Sequence, residues 1–69
     1  MSGYAAIDAL RAVLNAIDDF EVEIEATREE EAALCHFRVD LIRLCRPMIK
    51  RAHATYEDKL LEQELRGLA

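Results

Sequence analysis

From Tyr4 to Arg46 the chain contains not one Gly or Pro. A stretch that long without a backbone-breaking residue is punctuated only by its own periodicity, so helix is the default wherever apolar spacing permits. Ala, Leu, Glu, Arg, Lys, Met and Gln, the residues that lose least on entering a helix, fill 41 of the 69 positions. Ser2 is a candidate N-cap. Behind it Ile7, Leu10, Val13, Leu14, Ile17, Phe20 and Ile24 recur at three- and four-residue steps, which is one helical face. Residues 20–26 also alternate strictly, as a half-buried strand would, but the chain has no second alternating segment to pair with them. Pairing with a copy of itself would gather Glu21, Glu23 and Glu25 on one face, so helix is the better reading.

Thr27-Arg28-Glu29-Glu30 fits a capping box, and the acids at 29–31 suit the positive end of a helix. A turn is therefore expected around 25–28. Beyond it Leu34, Phe37, Leu41, Leu44 and Met48 make a strict a/d seam, which Cys35, Ile42, Cys45 and Ile49 widen to about 180°. One neighbouring helix needs a stripe of only about 100°. Part of this arc is expected to meet another chain, through Leu34, Phe37, Arg38, Leu41, Leu44, Cys45 and Met48. Arg38, set inside the arc, either lays its stem along the apolar surface or pairs with a neighbour's carboxylate, and a buried pair would fix register. Pro47 is expected to kink the helix or to open a third one. A weaker stripe through Ile49, Ala52, Tyr56, Leu60, Leu61, Leu65 and Leu68 follows, with Gly67 placed like a C-cap. Helices are thus expected over about 3–25, 28–46 and 48–66. The fold class is all-α: an antiparallel helical hairpin with a kinked or third C-terminal helix in a single domain.

A chain of 69 residues is short enough to need a staple, a metal or a second subunit. Cys35 and Cys45 lie about 15 Å apart along a shared helix, too far for a disulfide, which suits a reducing compartment. Neither a membrane-spanning run nor a signal-peptide pattern is present, so a cytoplasmic location is expected. A second subunit, giving a homodimeric bundle, is the favoured solution. The net charge of −5 hides a dipole. Residues 18–31 hold eight acids and one Arg, a net of −7, whereas residues 36–53 hold five Lys/Arg and one Asp, a net of +4. Two hairpins packed antiparallel would bring each acidic tip near the other's basic end.

His36, Arg43, Arg46, Lys50 and Arg51 share one polar arc that could follow a phosphate backbone, which makes nucleic-acid binding the alternative function. The acidic pI of about 4.9 and the lack of interleaved aromatics count against it. Cys35, His36, Cys45, His53 and Glu57 are metal-ligand types without Cys-x-x-Cys, His-Glu-x-x-His or Glu-x-x-His spacing, so structural cysteines and surface histidines are expected, with no metal or cofactor. Cys35 and His36, adjacent in sequence, would point about 100° apart rather than form a nucleophile pair.

Leu10-Arg11, Leu14-Asn15 and Ile17-Asp18, followed by Arg28, resemble the opening of the all-helical chorismate mutases. The resemblance covers residues 10–28; Val39 stands where that family has a lysine, and Glu21 and Glu25 where it has apolar residues. It implies Arg11 and Arg28 as carboxylate-binding cations on one continuous helix of an intertwined dimer, and so an enzyme as a third function. The residues themselves favour a small non-enzymatic regulatory, adaptor or inhibitor protein that binds itself and another protein through helix faces.

Overall fold

The computed structural model describes residues 4–54 and 58–68. They form three helices, α1 (Ala5–Glu23), α2 (Arg28–Ala52) and α3 (Asp58–Arg66), with no strand among the described residues. α1 and α2 make the helical hairpin, and α3 packs back onto it. Ser2, Tyr56 and Glu57, read above as a cap, a stripe residue and a ligand type, lie outside the described residues.

The turn between α1 and α2 is made by two back-to-back capping motifs. At the end of α1, Ala26 N–H donates to Glu21 C=O and Glu25 N–H to Val22 C=O, both at 3.1 Å. This is the Schellman pattern, and it places Glu25 in the left-handed region at φ 50°. α2 begins with the expected capping box: Thr27 Oγ1 accepts from Glu30 N–H at 3.2 Å, and Glu30 Oε1 accepts from Thr27 N–H at 2.9 Å. Residues 20–23 are therefore the last turn of α1.

Of the two outcomes expected at Pro47, the opening of a third helix does not occur there: α2 runs through Pro47 to Ala52, and α3 begins at Asp58 instead of near 48. Proline removes the bond to the carbonyl four residues back, here that of Arg43. Both residues are exposed, so water can satisfy that carbonyl. What holds the helix beyond Pro47 is burial of Ile49 and of its C-cap residue, His53. Ala6 N–H donates to His53 Nε2 at 3.3 Å, and the imidazole meets the Tyr4 ring edge-on at 5.3 Å. Tyr4 has no side-chain cap of its own to offer α1, so His53 supplies an acceptor for one of the unpaired amides there. The expectation of surface histidines holds for exposed His36 and fails for His53, which is a structural residue of the open end.

α3 is only nine residues long, too short to be stable alone. It is held by Leu61, Leu65 and Leu68, which join Ile7, Leu10, Leu14, Ile42, Ile49 and Tyr4 in the core. Gly67 closes it, its N–H shared between the Gln63 and Glu64 carbonyls.

Holding a non-glycine residue in the left-handed region costs about 1–2 kcal/mol, and Glu25 also adds negative charge to the negative end of α1. Glu25→Gly is accordingly expected to stabilise the chain by about 1 kcal/mol. Chemical denaturation checks this; a variant less stable than the parent contradicts the turn.

Candidate functional site

α3 covers one side of the hairpin and leaves the other open. On α1, the buried residues Ile7, Leu10 and Leu14 face the core, while Val13 and Phe20 remain 49% and 55% exposed. Beside them Ala5, Ala9, Ala12 and Ala16 are exposed and recur at steps of four, three and four, which stacks them in one row. On α2, Phe37, Leu44 and Met48 are 47–60% exposed. An open groove of about 410 Å³ joins the two helices, with Ala6, Ala9 and Val13 on one wall and Leu41, Cys45 and Met48 on the other. Phe20 lies seven residues after Val13 and Leu44 four before Met48, so they extend the apolar flanks of this groove along the two helices.

The interface residues expected from the sequence divide accordingly. Phe37, Leu44 and Met48 stand on the open face, Leu41 and Cys45 lie half-buried where the groove meets the core, and Leu34 is half-buried nearer the turn. The centre of α2's buried side is instead Ile42 and Ile49, which the a/d seam treated as its margin. Arg38 pairs with Asp18 of α1 at 3.0 Å, with its side chain still 36% exposed. Of the two alternatives for Arg38, pairing with a neighbour's carboxylate is the one formed, to the adjacent helix of the same chain and partly exposed rather than buried. A partly exposed ion pair of this kind contributes under about 1 kcal/mol.

The basic stripe is interrupted by α3. Lys50 Nζ pairs with Glu62, and Arg46 and Arg66 act on the same carboxylate. The hydrogen bond from Lys50 is the main cause holding the Glu62 carboxyl below its usual value. Arg46 is half-buried, and its Nε is shielded from solvent without a hydrogen-bond partner among the described residues. His36, Arg43 and Arg51 are exposed. Arg51 stands seven residues after Leu44, so it belongs to the end of the apolar row as much as to the stripe.

The continuous helix implied by the resemblance to chorismate mutases is broken by the turn: Arg11 lies within α1 and Arg28 opens α2. Arg11 is engaged by Glu64 at 3.2 Å and by Asp8 at 3.6 Å. Arg11, Asn15 and Arg38 also line a polar recess of about 230 Å³ beside Gly67 and Leu68. The carboxylates of Asp8, Asp18 and Glu64 already neutralise its two guanidinium groups. Among the described residues no three His, Cys, Asp or Glu side chains cluster as metal ligands, and no helix is long and apolar enough to cross a membrane. Comparisons with protein-family models, curated proteins and solved structures find no match to this chain.

The lowered Glu62 value has a sign that can be measured. A carboxyl whose folded value lies below its unfolded one stabilises the fold above the ordinary carboxylate range, and that contribution disappears as pH falls through the folded value. The melting temperature of Lys50→Gln is therefore expected to lie below that of the parent at pH 7. The gap is expected to close below the carboxylate range; a gap independent of pH contradicts the pairing.

Proposed function

We propose that this chain is a small non-enzymatic regulatory, adaptor or inhibitor protein that acts by protein–protein binding through its helix faces and assembles as a homodimeric helical bundle. The observation that carries the reading is the open α1–α2 face: Val13 and Met48 line one groove, Phe20, Phe37 and Leu44 extend its flanks along the two helices at helical spacing, and each of the five is 47–60% exposed. Exposed apolar residues scattered singly have no such meaning, whereas a contiguous patch rimmed by polar residues is typical of an interaction surface. Full burial of such a side chain contributes about 1.5–3 kcal/mol, so the half still exposed on five of them offers about 4–7 kcal/mol to a partner. The free thiols of Cys35 and Cys45 fit the reducing cytoplasm proposed as its location.

Nucleic-acid binding is disfavoured by the engagement of Lys50 with Glu62 and by the half-buried setting of Arg46.

Affinity capture from the source lysate separates the two. Leu44→Glu, which places a charge in the middle of the open face, is expected to abolish recovery of protein partners with the helical content unchanged. Neutralising Arg43, Arg46, Lys50 and Arg51 together is expected to leave that recovery largely intact. Salt-sensitive retention of DNA or RNA that is lost with the four cations and kept in Leu44→Glu would reverse the assignment.

A further inference from the structure

Along the exposed edge of α2 four residues stand at heptad spacing: Glu30, Phe37, Leu44 and Arg51. Positions seven apart lie almost directly above one another on a helix, so this is one straight row that begins with an acid, ends with a cation and is apolar between. Glu30 sits at the turn end, where Glu23, Glu25, Glu29 and Glu31 are also exposed. Arg51 is exposed at the other end and makes no ion pair among the described residues.

Such a row is complementary to its own reverse. Laid antiparallel on an identical row, with layers matched a to d, Phe37 meets the copy's Met48 and Leu41 meets the copy's Leu44. In that register Arg51 comes within a turn of the copy's Glu30. Laid parallel, Glu30 would face Glu30 and Arg51 would face Arg51, and the two acidic turn regions, each with a net of −7 over residues 18–31, would be forced together. The molecule measures 42 × 20 × 15 Å, so the outline of its whole long side is about 600–800 Å², an upper limit that reaches the ~800 Å² per partner buried in stable interfaces. α1 contributes the small row Ala5, Ala9, Ala12 and Ala16, which permits close approach of a facing helix without a side-chain clash.

We infer that the occupant of the open face is a second copy of this chain, seated antiparallel by a twofold axis that crosses α2 near Leu41 to Leu44, with α3 of each copy on the outside. This assignment rests on the helix-face homodimer proposed above and adds to it the face that is shared, its antiparallel direction and its register. A C2 contact of this kind is isologous, so each Arg51–Glu30 approach occurs twice.

The test is a distance between copies. In the full chain with Cys35→Ser and Cys45→Ala, a nitroxide on Arg28→Cys lies near the turn. Antiparallel seating puts two such labels about 40 Å apart at 1.5 Å rise per residue. Parallel seating keeps them under about 25 Å, given interaxial distances of about 8–10 Å plus the label arms. A label on Ala32→Cys, expected at about 30 Å in the antiparallel case, repeats the measurement should the first variant fold poorly. A dimer with the long separations, lost in Leu44→Glu, supports the seating. A dimer with the short separation, or one that survives Leu44→Glu, overturns it and leaves helix-face binding in place. A chain that sediments as a monomer at every concentration overturns the second copy as occupant; the capture experiment then decides separately whether another protein takes the face.

Discussion

Three leucines decide what this molecule can be. α3 has nine residues and contributes Leu61, Leu65 and Leu68 to the core, and those side chains close one flank of a hairpin built from helices of 19 and 25 residues. Both long helices carry apolar arcs wider than the side facing α3, and among the described residues no third long helix covers the remainder. Ile7, Leu10, Leu14, Ile42 and Ile49 are buried in one cluster with those leucines, whereas Val13, Phe20, Phe37, Leu44 and Met48 remain about half exposed. The open face is thus a consequence of the lengths of the elements.

The charges follow the same geometry. The hairpin places the acids of 18–31 around its turn and the cations of 36–53 toward its open end, and the ion pairs that form are local repairs of this separation. Arg38 reaches Asp18, Arg11 reaches Glu64 and Asp8, and Lys50 reaches Glu62. Each is at least partly exposed and contributes little to stability by itself. The pairs Arg11–Glu64 and Lys50–Glu62 tie α3 to the hairpin and the latter blunts the basic stripe, while Arg51 and the glutamates of 21–31 make no ion pair among the described residues.

Much of the fold could be read from local chemistry in the sequence. The capping box of Thr27 and Glu30 marked the start of α2 because its two reciprocal bonds depend on residue types three apart. The turn before it was legible only through that cap, since the left-handed position is filled by Glu25 rather than by the glycine that normally signals a Schellman ending. Helix α2 outran its expected limit at Pro47 because the cost of one missing hydrogen bond is local, while the burial of Ile49 and His53 that outweighs it is tertiary. For the same reason the role of His53 at the start of α1, 47 residues away in sequence, had no sequence signal. The a/d seam identified the apolar residues of α2 correctly but could not tell which part of a wide arc faces inward. That depended on where α3 docks, which set Ile42 and Ile49 at the centre and left Phe37, Leu44 and Met48 at the margin.

If the open face is covered in solution by a second chain, folding and association are coupled, and apparent stability depends on how much protein is present. The most direct measurement is the thermal unfolding midpoint over a wide range of chain concentration. A midpoint that rises steadily with concentration is the expected result. A midpoint that stays constant while the chain unfolds cooperatively would show that one copy is sufficient by itself, and would contradict the claim that this hairpin carries more apolar surface than its own third helix can cover.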